Sequence, residues 1–351
     1  MADLQDEVTA PAEAGELDQP VPITEIPPRS APLPTPHTLL THHPVADGYC
    51  GLPDTLRALS WHDLARGESA VETDLPRLRA GGTGALLLAL DTPHDRPPVT
   101  TALEQIDLIN SVVARYPEGL RLARSASETA DARSHGRIAV VIGPAPATVI
   151  GDSLGTLRAL HTLGLRALTL SGTAWTECER GLTGFGEEVV REMNRLGIIV
   201  DLTGASRATA TRALAMSTAP VLFTRSGARA LNGHPDNVPD DLLAALGEKR
   251  GLCLVPCSAA RTGPALRDVA DHLDHVRRVA GPGAVGLSGM YDTGEAHPDG
   301  LPDASGYPAL IAELLDRGWP EPDLALLTWG NVQRVLRCAE FTARAARAAT
   351  G

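Results

Sequence analysis

"GALLLALD" (residues 84–91) is an unbroken apolar run closed by one carboxylate, and the apolar residues beyond it, Leu103, Ile106, Ile109 and Val113, recur at helical spacing. A run without polar alternation belongs to a strand covered on both faces, as in a parallel sheet whose crossovers are helices. The same unit recurs along the chain. "VADGYC" (45–50), "GRIAVVIG" (136–143), "LRALTLSG" (165–172), "GIIVDLTG" (197–204), "APVLFTRS" (219–226), "GLCLVPCS" (251–258) and "AVGLSGMY" (284–291) bring the strand candidates to eight. Most are followed by a helical pattern, such as Leu154, Leu157 and Leu160. Eight β-then-α units predict an α/β fold of the closed (β/α)8, TIM-type barrel. An open doubly wound sheet is the alternative, but no Gly-x-Gly-x-x-Gly follows the first run. "YPALIAELLDRGWP" (307–320) and "NVQRVLRCAEFTARAARAA" (331–349) predict the last barrel helix and a C-terminal helical extension.

Ahead of the first unit, residues 1–37 are acidic and proline-rich. They hold too little aliphatic surface to offset the entropy of ordering, which predicts a disordered tail before a single domain over 38–351. With 351 residues, 43% hydrophobic and 21% charged, the chain can bury one sizeable core. A formal net charge of -12 repels nucleic acid and anionic membrane surfaces, so a small molecule or a protein is the expected partner. Cys50, Cys178, Cys253, Cys257 and Cys338 are scattered without a Cys-x-x-Cys pair, and no secretory leader opens the sequence. Both features point to a reducing, cytoplasmic setting. No apolar run reaches the roughly 20 residues that span a bilayer, so no membrane segment is expected.

In a barrel of this kind reactive groups sit at the C-terminal strand ends. Here those ends carry Tyr49, Cys50 and Gly51; Asp91; Pro144 and Ala145; Gly172; Gly204; Arg225; Cys257; and Met290, Tyr291 and Asp292. No histidine is among them.

Longer segments carry a resemblance. "DSLGTLRALHTLGLRALTLSGTAW" (152–175), "GLTGFGEEVVREMNRLGIIVDLTGAS" (181–206), "APVLFTRSGARALNGHPDNVPDDLL" (219–243), "DHLDHVRRVAGPGAVGLSGMYD" (271–292) and "YPALIAELLDRGWPEPDLALLTWGNVQRVLR" (307–337) resemble the renal (membrane) dipeptidase family of zinc peptidases, from about His42 to Arg337. That family has the barrel fold and hydrolyses dipeptides with two zinc ions bridged by a carboxylate. Its Asp-Gly-His-Asn-Asp-Leu-Pro start is similar to "DGYCGLP" (47–53), which puts Tyr49 and Gly51 at two ligand positions. "APAT" (145–148) puts Ala145 at the bridging glutamate; "DLTG" (201–204) and "FTRS" (223–226) put Gly204 and Arg225 at two histidines. The resemblance also places a substrate-contacting histidine on Gly172, a carboxylate-binding arginine on Asp236, and the first acid of a paired-aspartate motif on Met290. Only Asp292 matches that motif's second aspartate.

Glycine and alanine side chains offer zinc no lone pair, and a guanidinium in a ligand position repels a dication. The resemblance with these substitutions predicts a divergent member lacking the zinc ligands, with no metal, no cofactor and no zinc-dependent dipeptidase activity. Tyr49, Arg225, Asp292 and Cys50 are then the candidate catalytic groups, and Asp236, Tyr291 and Glu177 the candidate substrate-binding ones. Arg225 can pair with a ligand carboxylate or neutralise Asp292 or Asp201. His272 and His275 share a helical face outside the barrel, where packing or capping is expected, and His42 and His43 precede the first strand at the wrong end. Cys253 and Cys257 fit core packing, and Glu179 a surface carboxylate.

Three functions stay open: a metal-independent enzyme acting on a small carboxylate- or peptide-like metabolite, for example in specialised metabolism of a GC-rich bacterium; a non-catalytic pseudoenzyme that binds a ligand or partners an active protein; and a true dipeptidase. The resemblance further implies a homodimer.

Overall fold

The computed structural model describes residues 35–59, 63–67, 70–93 and 95–350. Nearly all of the acidic proline-rich segment lies outside them, while Pro36 and His37 already belong to the helix Pro36–His42, capped by the Thr35 hydroxyl.

Each of the eight apolar runs contains a strand: β1 (Val45–Cys50), β2 (Thr83–Leu88), β3 (Ile138–Ile142), β4 (Ala167–Thr169), β5 (Ile199–Asp201), β6 (Leu222–Phe223), β7 (Leu252–Pro256) and β8 (Val285–Ser288). All paired neighbours are parallel. The ring closes through two isolated parallel bridges, Ile142 with Leu165 between β3 and β4, and Cys50 with Tyr291 between β1 and the end of β8. The first junction is thin because a short strand, Leu120–Leu122, pairs with the lower part of β3, and Ala145–Pro146 pairs with β4 above it. Neither short strand is among the apolar runs of the sequence.

Alternate strand residues divide the core. Ala46, Ala85, Leu87, Val141, Ile199, Leu222 and Leu254 form one cluster with Trp329, Val332, Val335, Leu336 and Ala339 of the C-terminal segment. That cluster fills the barrel and seals its N-terminal end. Leu86, Leu88, Val140, Val200 and Val255 instead join Ile106, Ile109, Leu157, Leu160 and Val189 of the surrounding helices. Two-sided burial is why these strands read as continuous apolar runs. The expected final elements are present as the helices Tyr307–Asp316 and Asn331–Thr350. Among the described residues no helix is long and apolar enough to cross a membrane.

The loops that leave the C-terminal strand ends are pinned where they enter their helices. Ser153, Thr183 and Ser206 cap Leu154–Leu163, Gly184–Leu196 and Arg207–Met216, each hydroxyl accepting a backbone N–H three residues on. Such caps typically contribute ~1 kcal/mol each, and here they also fix the exit of the loops around the barrel mouth.

Candidate functional site

The inward face of β4, β5 and β6 turns polar at its upper end. Asp201 is fully buried there, and its carboxylate accepts hydroxyls from Thr169 (2.6 Å), Thr203 (2.9 Å) and Thr224 (2.8 Å). The backbone N–H groups of Thr203 and Thr224 add bonds of 3.1 and 3.0 Å. A buried anion held by five hydrogen bonds is a fixed negative base for the layer above it.

That layer is Arg225. Its Nη1 lies 3.8 Å from Asp201 Oδ2, and its guanidinium carbon lies 4.5 Å from the centroid of the Tyr49 ring. Of the two carboxylates it could neutralise, the guanidinium faces Asp201. Burial opposes its charge, but the carboxylates of Asp201, Asp236 and Glu295 offset this, and its pKa is raised. Tyr49 is raised as well, by burial acting against the pull of Arg225, so its phenol stays protonated and suits donation rather than base catalysis. Apart from Thr224 Oγ1 at 3.4 Å, no hydrogen-bond acceptor meets the Arg225 guanidinium among the described residues. Most of its N–H groups remain available to a ligand.

Arg261 binds this centre to its rim. Its Nη1 donates to Asp236 Oδ2 (2.6 Å) and to the Arg225 carbonyl (3.2 Å), and Nη2 donates to Glu295 Oε1 (3.1 Å). Ser258 also donates to Glu295. Burial would raise the Glu295 carboxyl, but the bonds from Arg261 and Ser258 hold it below the ordinary range. Arg261 and Glu295 were not among the expected site residues. Their sequence signal is positional alone, four residues beyond Cys257 and three beyond Asp292.

Asp292 belongs to a separate cluster. Its left-handed backbone (φ 58°) turns the carboxylate toward the Glu72 N–H (2.8 Å) and the Thr73 hydroxyl, while its own N–H donates to Glu72 Oε2 (2.6 Å). Burial pushes Asp292 up to about 6 against these bonds. His297 bonds Glu72 through Nε2 (3.0 Å) and the Cys257 carbonyl through Nδ1 (2.7 Å). Since neither partner can donate, both ring nitrogens carry protons, and the bond to Glu72 outweighs burial to raise the His297 pKa.

The expected site residues therefore separate. Tyr49, Arg225 and Asp236 are joined, the last through Arg261. Cys50 is fully buried with Sγ 3.6 Å from Thr73 Oγ1, and burial pushes the thiol well up. Tyr291 is fully buried too, with its ring 4.8 Å from His297 and 5.9 Å from Tyr307. Glu177 is exposed and accepts the Gly172 N–H at 2.9 Å, which puts it at the outer rim.

Three glycines show how much room the strand ends leave. A Cβ on Gly204 (φ 72°) would stand 3.4 Å from Asp236 Oδ1 and 3.7 Å from Ser171 Oγ, beside a cavity of about 70 Å³. Gly172 has nothing within 4 Å. At Gly51 a Cβ would come within 2.3 Å of the Asp292 carbonyl oxygen, so no longer side chain fits on this backbone. Elsewhere, His272 Nδ1 accepts the Ala228 N–H (2.8 Å) with its pKa lowered to about 4 by burial, and His275 pairs with Asp240 (2.7 Å). Cys253 and Cys257 are fully buried, and burial pushes Cys257 up to about 12. Among the described residues no group of three or more His, Cys, Asp or Glu is placed to hold a metal ion.

Comparison with known proteins places this chain in a family. The family described as membrane dipeptidase (peptidase family M19) matches residues 34–350. Dipeptidase 3 of Mus musculus is 39% identical over 86% of this chain and 66% of its own length. The chain thus spans slightly less than two thirds of that relative. Dipeptidase aclJ of Aspergillus oryzae is 35% identical over 87% of this chain and 80% of its own. Among solved structures, the dipeptidase AC metallo peptidase superposes with a TM-score of 0.75 at 25% identity, covering 84% of this chain and 98% of that one. A metallo peptidase from Rhodobacter sphaeroides, liganded with a phosphinate mimic of L-Ala-D-Ala, reaches 0.76 at 24% identity over 84% and 99%, a likeness of fold. The barrel, its strand order and a match along nearly the whole described chain give one conclusion: this protein belongs to the membrane dipeptidase family, peptidase family M19.

Proposed function

We propose that this chain is a dipeptidase-like barrel that works without zinc and takes a small carboxylate- or peptide-like molecule at its mouth, with Arg225 as the anionic group's anchor. The observation that carries this reading is the guanidinium itself. It is fixed between Asp201 at 3.8 Å and the Tyr49 ring at 4.5 Å, and it keeps most of its donors unpaired. A guanidinium so held favours a carboxylate and disfavours a dication. The donor set supports the same reading. Gly51, Ala145 and Gly204 contribute no ligand atom, and the room at Gly51 excludes one.

Catalysis would then rest on Arg225 polarising a carbonyl and Tyr49 supplying a proton. A second reading, ligand binding without turnover, is favoured by the protonated state of Tyr49 and Cys50 and by the inward turn of Asp292, which leave no ready base beside Arg225. Titration calorimetry with a panel of dipeptides and N-acyl amino acids, run in excess chelator, tests the shared claim. Binding should persist in chelator and fall at least tenfold in Arg225→Ala, since a charge-assisted bidentate pair is lost. Dipeptide hydrolysis that appears only on adding zinc would overturn it. Turnover of any binder in chelator separates the two readings.

A further inference from the structure

At the other end of the barrel a cleft of about 700 Å³ opens between the entries to β6 and β7 and the helix Asn331–Thr350. It has the size of a small-molecule site. Lys249, Arg250, Arg337 and Arg344 line it, with Glu340 as the one carboxylate. Glu340 is engaged, accepting the Ala126 N–H and lying 4.0 Å from Arg344. Among the described residues the side chains of Lys249, Arg250 and Arg337 have no hydrogen-bond or ion-pair partner. A local excess of positive charge thus stands on a chain of net charge -12, and in a concave setting it focuses on an incoming anion.

Two further features make the cleft more than a charged surface. Phe341 is 66% exposed, the most exposed large apolar side chain among the described residues, and it lines the same cleft above Leu214, Pro220 and Val221. Arg250 holds a left-handed backbone (φ 55°) at the turn into β7, where a glycine would relieve the strain. The walls are fixed to each other. Arg334, on the same helix as Phe341, donates to the carbonyls of Arg250, Gly251 (3.3 Å) and Gly283 (2.6 Å).

We infer that this cleft is a second binding site, for a small molecule that joins a planar ring to several phosphate charges: a nucleoside di- or triphosphate. The ring would stack on Phe341, and the phosphates would meet Lys249, Arg250, Arg337 and Arg344. Exposed aromatics give stacking without base preference, and arginines and lysines neutralise phosphates in a salt-dependent way. The site is separate from the barrel mouth, so it stands or falls apart from the function proposed there.

The test is calorimetry on the full chain with ATP, adenosine and inorganic tripolyphosphate as probes at low and moderate salt. ATP should bind more tightly than either fragment, with affinity falling as salt rises. Phe341→Ala should weaken ATP about tenfold and leave tripolyphosphate unchanged, whereas Arg337→Ala should weaken both and flatten the salt dependence. Both positions are exposed, so the variants should keep the wild-type melting temperature, which is checked in parallel. Arg225→Ala should leave ATP binding intact. No ATP binding below millimolar, equal effects of Phe341→Ala on ATP and tripolyphosphate, or loss of ATP binding in Arg225→Ala would each overturn the assignment.

Discussion

The Arg225 guanidinium stacks 4.5 Å over the Tyr49 ring at the centre of the barrel mouth, and the buried Asp201 lies 3.8 Å beneath its Nη1. These two residues come from different parts of the ring, β1 and the end of β6. A cation over an aromatic face contributes ~0.5–2 kcal/mol, more when desolvated. Arg225→Ala is therefore expected to lower unfolding free energy by about 1–2 kcal/mol, because Asp201 keeps its five threonine hydrogen bonds. Chemical denaturation measures this, and a loss above about 4 kcal/mol would mean that Asp201 depends on the guanidinium.

One histidine should not create a metal site. Arg225→His puts an imidazole where the resemblance implies one, but glycine and alanine at 51, 145 and 204 offer no side-chain donor atom. Zinc titration of this variant should show no site tighter than the wild type.

Gly51→Asp should damage the fold rather than rebuild a site. The new Cβ would meet the Asp292 carbonyl oxygen at 2.3 Å and Thr293 Cγ2 at 3.0 Å, so β1 and the loop after β8 must separate. A loss of about 2–3 kcal/mol is expected in denaturant, against a near-neutral Gly233→Ser, whose side chain enters open space on a backbone without a positive φ.

Stability should fall as pH rises from about 4 to about 6. Asp292 and Asp47 are both raised by burial from 3.8 to about 6, so the folded state holds protons that the unfolded state releases. Their contribution is complete below the unfolded pKa and is lost on passing the folded one. Glu72 and Glu295, held below the ordinary range, act oppositely at lower pH. Asp292→Asn suits the left-handed backbone and keeps an oxygen for the Glu72 N–H. It should remove up to roughly 2–3 kcal/mol of this slope. An unchanged slope would show that Asp292 does not carry it.

Thiol reactivity checks the core assignment. Cys50, Cys253 and Cys257 are buried, whereas Cys178 and Cys338 are partly exposed. A thiol reagent should modify at most two cysteines in the native protein and all five after denaturation.

The barrel was legible because two-sided burial writes each strand as an apolar run, and all eight runs contain a strand. The strands Leu120–Leu122 and Ala145–Pro146 were not, since two or three residues produce no periodicity. At the site, Tyr49 and Arg225 are singled out by their strand-end positions together with the ligand positions that the family resemblance assigns them. Cys50 and Tyr291 occupy equally promising positions but face the shell; at Cys50, which strict alternation would put on the side of Ala46, a register shift in β1 between Asp47 and Cys50 turns the side chain outward. Arg261 and Glu295 come from loops, whose path no pattern fixes, so their bridge to Asp236 shows only in three dimensions.

The most direct measurement is metal content by mass spectrometry on protein purified without chelator and without a metal-binding tag. Zinc well below one per chain is expected, with dipeptide hydrolysis absent before and after zinc addition. Close to two zincs per chain with dipeptide turnover would contradict a barrel mouth organised around Arg225.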